Sequence, residues 1–429
     1  MRLPPDHPHR RELNDEVHAR PPEALQPPLR LSYLVLLSGW SAQEQERRRV
    51  AELAARFGVE PPAIGANHFS AEMGGFRLKW ERHTEFARYS FFAPGLAEHP
   101  FATTALDEVP AEWVASLPGD TLVAAHVALM PPAAGATDHE ALSALHFGGH
   151  PLLGATIASG LATALTDFRV HADGFSRLII EDRGMPSRQA GRMVQRLLEI
   201  ETYRMLALLG LPVARALIPG LARSEHELAQ ITATLTEAGE QDEPALLQRL
   251  TRLEAEIGRG VSDSQYRFSA SAAYYELVQR RIVELREERI QGLQTFGEFT
   301  ERRLAPAMNT CRAMAARQES LSRRASRTTQ LLATRVDIAR EHQSQALLES
   351  MNRRVRQQVR LQETVEGLSV VAITYYIVGL VSYLVDGAIA AGVAIDHHMA
   401  VGLSIPVVAA LVFWGLRRAR KLISRSLVE

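Results

Sequence analysis

Two long apolar stretches near the C-terminus constrain the fold of this 429-residue chain more than any other feature. Residues 368–385 and 399–416 contain no Asp, Glu, Lys or Arg, and the first stretch can extend past Asp386 toward Ile395. A bilayer-spanning helix needs roughly 20 predominantly apolar residues, and only this region of the sequence meets that demand. The alternative is a buried hairpin in a soluble core, where each helix would normally keep a polar face. We therefore predict a transmembrane hairpin of two helices.

Arginines flank the predicted hairpin on both sides, whereas the connection inside it contains neither Lys nor Arg. By the positive-inside rule, such residues remain on the cytoplasmic side of a membrane. The N-terminal segment lacks the apolar core of a signal peptide, and the single cysteine, Cys311, fits a reducing compartment. Both chain ends, including Arg20 and Glu429, are therefore predicted to be cytoplasmic, with Asp396 outside. The flanking cations are Arg353, Arg354, Arg356 and Arg360 before the hairpin, and Arg417, Arg418, Arg420 and Lys421 after it.

The first part of the chain has the pattern of a mixed α/β domain. A charged amphipathic helix, residues 41–58, follows the first of several strand-like runs, and strands separated by helices predict a mixed sheet flanked by helices. The strand-like runs are residues 29–37, two segments within 75–94 that suggest an antiparallel pair, and residues 121–130 and 175–182.

From Ser187 onward the pattern is helical, and no strand signal remains. We expect Pro212 and Pro219 to close the first helix, a break near residues 239–244, and a new helix that opens at Ser262. The last helix begins or kinks at Pro306 and contains no further proline before the first apolar stretch, so it is predicted to continue into the membrane as a stalk.

The predicted fold class is thus an α/β cytoplasmic domain, a long all-α stalk and a C-terminal transmembrane hairpin. The predicted segments are a polar N-terminal segment (1–28), the α/β domain (29–185), a helical layer (186–304), the stalk helix (305–366), the first transmembrane helix (367–395), the outer loop (396–398), the second transmembrane helix (399–416) and a basic cytoplasmic tail (417–429).

Catalytic signatures are absent from the sequence. It contains no P-loop, no HExxH, no GxSxG and no GxGxxG motif, and one cysteine cannot form a CxxC site. The net charge of −1 gives no overall field that would attract nucleic acid. We therefore expect neither an enzyme nor a nucleic-acid-binding protein, and no cofactor beyond a divalent cation.

Polar residues of the first apolar stretch fall on one side of a helix. Tyr375, Gly379, Ser382 and Asp386 are spaced i, i+4, i+7 and i+11, and Tyr376 and Tyr383 lie on the adjoining face. Small and hydroxyl residues in membrane helices mark helix–helix packing, whereas a carboxylate at the membrane boundary is a candidate for function. The spacing leaves both interpretations open, packing contacts or the lining of a pore.

The outer loop offers a second candidate site in Asp396, His397 and His398. In a symmetric oligomer these residues would form a ring of carboxylates and imidazoles at a pore mouth. The alternative is an ordinary polar cap of the loop. The basic residues before the hairpin, Arg353, Arg354, Arg356 and Arg360, either contact anionic lipid head groups or surround a cytoplasmic vestibule. The sequence does not identify a metal.

The segments RELNDEVHARPPEAL (11–25), GGFRLKWERHTEFARYSFF (74–92) and VEGLSVVAITYYIVGLVSYLVDG (365–387) resemble the bacterial membrane-anchored family of domain of unknown function 3422. The resemblance covers nearly the whole chain and implies a multi-pass protein of the bacterial inner membrane. It implies no particular activity.

The order of parts is also similar to that of the CorA metal-ion transporters, in which five stalk helices form a funnel and a Gly-Met-Asn motif ends the first span. The corresponding place here reads Tyr383-Leu384-Val385-Asp386-Gly387, so the motif is missing. This architecture implies a homo-oligomer, a pentamer by analogy alone, that contacts membrane lipid and passes or senses a cation. The alternative is a membrane-anchored scaffold or regulator without transport activity.

Overall fold

The computed structural model describes residues 6–11, 13–14, 21–132, 135, 138–237, 239, 241–392, 394 and 396–426; for Trp40 and residues 419–426 it describes the backbone alone. Arg20 and Glu429 therefore lie outside the described residues. The chain divides into two compact units, the first formed by the described residues of 1–238 and 245–329, and the second by those of 239–244 and 330–429.

Nine strands in the described part of the chain form one mixed sheet, in the order β2-β3-β4-β1-β5-β8-β7-β6-β9. Strands β5 and β8 pair in parallel, and the other neighbours pair antiparallel. The bounds are β1 Leu29–Leu37, β2 His68–Glu72, β3 Arg77–Arg82, β4 Phe86–Pro94, β5 Asp120–Met130, β6 Leu153–Ile157, β7 Ala162–Thr166, β8 Ser176–Asp182 and β9 Glu288–Arg289. The predicted mixed sheet and its strand-like runs are confirmed.

Helices separate these strands along the chain and follow them. They are α1 Gln43–Arg56, α2 Ala111–Ala115, α3 His139–His146, α4 Ser187–Leu208, α5 Gly210–Glu237, α6 Glu243–Leu285, α7 Phe296–Phe299, α8 Ala305–Ala390 and α9 His397–Ser426. A π-helical turn, Thr300–Leu304, separates α7 from α8.

Both faces of the sheet are covered, because alternate residues of its central strand belong to two different cores. Tyr33 and Val35 of β1 join the core formed with α4, where Leu197 is buried, whereas Leu34 joins the core formed with α1, where Leu53 is buried. Successive side chains of a strand point to opposite faces, so a strand that is buried on both sides reads as a continuous apolar run. This explains the sequence LRLSYLVLL.

Three predictions about the helical region were wrong. Helix α6 runs through Ser262 from Glu243, because Leu250, Leu253 and Ile257 are buried along its length and hold it in one piece. The two-residue strand β9 lies where no strand was expected; it is too short and too polar to give a pattern.

The prolines Pro212 and Pro219 also do not close a helix. Pro212 lies in the first turn of α5, where a backbone N–H has no helical acceptor, and Pro219 lies inside the same helix. The break predicted near residues 239–244 is confirmed, since α5 ends at Glu237 and α6 begins at Glu243. Helix α8 is continuous from Ala305 to Ala390, as the absence of proline predicted.

Candidate functional site

Two helical stretches of the second unit have the length and apolarity to cross a membrane. Their most apolar windows have mean hydropathies of 2.0, at the end of α8, and 2.2, in α9, and only 6% of each window is buried within the chain. A third stretch, Ser187–Glu237, also qualifies by length and composition, with 28% of its window buried. The prediction that only the C-terminal region has spanning character was therefore too narrow. Around the junction of α4 and α5 in this stretch, Leu206, Ala207 and Ala214 are buried in the core of the first unit.

The structure brings together residues of the predicted polar face and the predicted outer loop. The His397 Nε2 atom lies 3.1 Å from the Ser382 hydroxyl and 3.2 Å from an Asp386 carboxylate oxygen. Ser382 and Asp386 are one helical turn apart on α8, so both side chains can reach the first residue of α9. The three residues form a polar cluster with two oxygen ligands and one imidazole at the end of the hairpin.

The rest of the predicted face borders a cleft of about 500 Å³. Its lining includes Tyr375, Tyr376, Gly379 and Tyr383 of α8 and Val401 of α9. The three tyrosine side chains are largely exposed, and a Cβ atom added at Gly379 would meet nothing within 4 Å. Within one chain, the packing of α9 on α8 therefore does not require a glycine at position 379.

The predicted outer loop, 396–398, differs from the structure, because α9 begins at His397 and only Asp396 of the three residues precedes it. Asp396 accepts a hydrogen bond from the backbone N–H of Met399 at 3.0 Å, which caps the start of α9. The ring centroids of His398 and His397 are 5.4 Å apart. Only His397 of the three loop residues joins the polar cluster in the described part of the chain.

The basic residues before the hairpin do not converge within one chain. Arg353 lies 3.7 Å from Glu349 on the same helix, and Arg354, Arg356 and Arg360 are exposed. After the second apolar stretch, the guanidinium groups of Arg417 and Arg418 stack over Phe413 and Trp414, at 4.8 and 5.2 Å from the ring centroids. Such aromatic–cation pairs suit a membrane interface.

A second group of possible ligands lies in the first unit, at one end of the antiparallel pair β6–β7. His150 precedes β6 and Asp167 follows β7, so the pairing brings them together, and the loop after Asp167 returns His171 to the same place. The Asp167 Oδ2 atom is 2.9 Å from His150 Nδ1 and 3.2 Å from His171 Nε2. All three ligand atoms lie within 4.8 Å of one another. We name these residues the histidine–aspartate cluster.

A chain of buried charges connects the sheet to the helices of the first unit. Arg88 on β4 donates to Glu81 on β3 at 2.5 Å and lies 3.4 Å from Glu199 on α4, which accepts a further hydrogen bond from Arg281 on α6 at 2.5 Å. Burial opposes ionisation of Glu81, but the Arg88 guanidinium outweighs it and lowers the pKa of that carboxyl group. Lys79 lies 3.3 Å from Glu81.

The segment Pro21–Leu25, named here the N-terminal strap, covers the end of this charged network. The Pro21 carbonyl accepts a hydrogen bond from Lys79 at 2.7 Å, and the Leu25 N–H donates to the Ser187 carbonyl of α4 at 3.0 Å. Gly191 of α4 faces the strap so closely that an added Cβ atom would be 1.7 Å from the Glu23 carbonyl oxygen. A cavity of about 30 Å³ remains beneath the strap.

A larger cavity, about 520 Å³, lies between α6 and α8 in the first unit. Its lining combines apolar side chains such as Phe268 and Met308 with Glu276 and Arg312. This volume is within the range of small-molecule sites.

The sequence model of the family described as "Protein of unknown function (DUF3422)" matches residues 5–423. The chain belongs to this family. It matches no curated protein and no solved structure. The resemblance inferred from the sequence segments is thereby confirmed for DUF3422, whereas the CorA likeness rests on the order of parts alone.

Two of the segments that resemble the DUF3422 family carry the strap and the buried charges. Pro21, Glu23 and Leu25 come from the first of them, and Lys79, Glu81 and Arg88 from the second. These residues contact α4, through the strap and through Glu199. They are separate in the sequence from the residues of the histidine–aspartate cluster.

Sequence reasoning missed the histidine–aspartate cluster, because its members stand apart as single residues. The available signal was their position next to two strands: a residue directly before one strand of an antiparallel pair lies beside the residue directly after the other. Neither of these two strands, β6 and β7, was among the predicted strand-like runs.

Proposed function

We propose that this DUF3422 protein is a multi-pass protein of the bacterial inner membrane that passes or senses a cation. The observation that carries the proposal is the exposure of its two apolar helices, of which only 6% is buried in the most apolar windows. Surface of this kind is stable in contact with lipid or with other copies of the chain, and not with water. Arginines on both flanks favour cytoplasmic ends.

The polar cluster of Ser382, Asp386 and His397 supports the cation part of the proposal. The His397 imidazole lies 3.1 Å from the Ser382 hydroxyl and 3.2 Å from the Asp386 carboxylate. This cluster is at the end of the hairpin that faces out in this topology. In a homo-oligomer each group becomes one member of a ring, and rings of carboxylates concentrate cations at a pore mouth. Asp386 has the central role because it is the only carboxylate in the cluster.

Flux measurements on reconstituted vesicles test this proposal. Asp386→Asn should lower the rate of divalent-cation entry at least tenfold while the protein assembles as before, because the ring loses its charge without a change in side-chain shape. The matched control, Glu341→Gln, removes a carboxylate from an exposed position on α8 before the span and should leave the flux unchanged. Wild-type protein that assembles and inserts but moves no cation above empty vesicles would contradict the transport reading.

A membrane-anchored regulator is the second candidate function, favoured by the cavity of about 520 Å³ between α6 and α8. In this case the hairpin only anchors the chain, and the first unit binds a small ligand. Gly379→Leu should then leave the isolated hairpin intact, since a Cβ atom added there meets nothing within 4 Å in one chain. A loss of oligomers in this variant would instead place Gly379 at a contact between copies.

A further inference from the structure

We propose that the histidine–aspartate cluster of the first unit binds a divalent transition-metal ion of the Zn²⁺ class. The inference does not rest on the proposed function of the hairpin, because the cluster belongs to the other compact unit and is formed by different residues. It concerns a site in the α/β region, for which the sequence suggested no ligand.

The distances fit an ion with short bonds to nitrogen and oxygen. Zn²⁺ binds imidazole nitrogen and carboxylate oxygen at about 2.0–2.2 Å, so two ligands at a tetrahedral angle are separated by about 3.3 Å. Here Asp167 Oδ2 is 2.9 Å from His150 Nδ1 and 3.2 Å from His171 Nε2. The remaining pair, His150 Nδ1 and His171 Nε2, lies within 4.8 Å, and these two nitrogens would close to a similar separation around one ion.

The ligand types identify the class of ion. Two imidazoles and one carboxylate suit Zn²⁺ and its first-row neighbours, whereas Mg²⁺ and Ca²⁺ prefer an all-oxygen environment. Three protein ligands leave at least one coordination position open. The open side is that of His150, whose side chain is 36% exposed, while the Asp167 side chain is completely buried and that of His171 is 8% exposed.

Backbone conformation and hydrogen bonds hold two of the ligands, His150 and Asp167, in place before any ion binds. His150 follows two glycines with positive φ, Gly148 and Gly149, and its carbonyl accepts a hydrogen bond from the Ser143 hydroxyl at 2.6 Å. The other oxygen of Asp167, Oδ1, accepts from the Arg169 N–H at 3.1 Å, which leaves Oδ2 for the ion. Hydrogen-bonded carboxylates of this kind are typical of metal sites.

A strained residue next to Asp167 is an independent observation. Phe168 has φ 51°, a left-handed conformation that is uncommon for a bulky residue. Its ring packs 5.1 Å from Phe299 and beneath the Arg204 guanidinium at 4.6 Å, so packing holds it in this conformation. Strain of this kind is concentrated at functional sites, where it fixes a turn that the chain would not otherwise form. Here the turn directs Asp167 between the two histidines.

The test is Zn²⁺ binding by the full-length protein in detergent, after removal of metals with a chelator. Competition with a chromophoric Zn²⁺ indicator measures how many Zn²⁺ ions each chain binds. Wild type should bind one more Zn²⁺ per chain than His150→Gln, His171→Gln or Asp167→Asn. The matched control, His226→Gln, replaces an exposed histidine of α5 that bonds to Gln230, and it should bind as wild type does. Zn²⁺ bound by other histidines is the same in wild type and variants, so it cancels when their stoichiometries are compared.

Two further measurements separate a metal site from a purely hydrogen-bonded cluster. Zn²⁺ should raise the melting temperature of wild type and of His226→Gln but not of the three cluster variants. Co²⁺ added to wild type should give the intense visible bands of low-coordinate cobalt, a result that needs no variant to fold. Equal Zn²⁺ stoichiometry in wild type and His150→Gln, or a Co²⁺ spectrum that remains that of the hydrated ion, would overturn the proposal.

Discussion

Gly191 permits the closest backbone contact between the N-terminal strap and helix α4. The Glu23 carbonyl oxygen occupies the position where any other residue would carry its Cβ atom. Glycine is therefore required for a steric reason, in a helix interior where it otherwise costs stability relative to alanine. The strap in turn supplies the acceptor for Lys79 at the edge of the buried charges.

Gly191→Ala should lower the free energy of unfolding of the first unit by about 1–3 kcal/mol, because the methyl group forces the strap away from α4. Denaturant unfolding of the detergent-solubilised protein measures the change. The control is Gly258→Ala in α6, where an added Cβ atom meets nothing within 4 Å; it should raise stability by up to ~1 kcal/mol. Equal effects of the two variants would mean that the strap does not pack on α4 as described.

The buried charges show which residues the sequence could not place. Lys79, Glu81 and Arg88 alternate with apolar residues, a pattern that normally indicates one solvated face of an antiparallel pair. In the structure all three are buried. Lys79 and Arg88 both pair with Glu81, and Arg88 also reaches Glu199 of α4, which in turn binds Arg281 of α6. Such partners are set by tertiary contacts, and no local pattern records them. The ligands of the histidine–aspartate cluster escaped prediction for the same reason.

Among the elements, the strands were the most predictable. Leu29–Leu37 forms β1 over the whole of its strand-like run, because apolar residues on both of its sides satisfy two cores. Helix boundaries were harder, since Pro212 and Pro219 suggested ends where α5 continues. Proline in a first turn loses no hydrogen bond, and one inside a helix can be tolerated where neighbouring contacts hold the helix.

Helix α8 is the element on which the stalk hypothesis depends. It is helical without interruption between Gln343 and Leu368, so these residues should be about 38 Å apart, at 1.5 Å per residue. Spin labels on Gln343→Cys and Leu368→Cys, in a Cys311→Ala background and diluted with unlabelled chain, allow the distance to be measured by pulsed electron resonance. We expect one narrow distribution near that value.

A proline in the same doubly labelled protein provides the control for this measurement. Leu361→Pro should broaden and shorten the distribution, because proline removes a hydrogen bond and clashes with the preceding turn. A broad distribution already in the protein without the added proline would show a flexible connection and would remove the stalk.

For the molecule as a whole, the two compact units differ in what covers their apolar residues. In the first unit the sheet and its helices cover one another, whereas the apolar parts of α8 and α9 remain exposed within the chain. Sequence reasoning predicted this division because length and hydropathy are local properties. It could not predict the contact of His397 with Ser382 and Asp386, which depends on how α9 returns along α8.

The membrane topology is the central claim, and the accessibility of single cysteines tests it most directly. Cys311 is buried, so Cys311→Ala provides a background for Ala394→Cys, between the two apolar helices, and Gln357→Cys, before the first of them. A membrane-impermeant maleimide applied to intact spheroplasts should label position 394 and should label position 357 only after the membrane is opened. Labelling of position 357 but not of position 394 on intact spheroplasts, or recovery of the chain in the soluble fraction, would contradict the account.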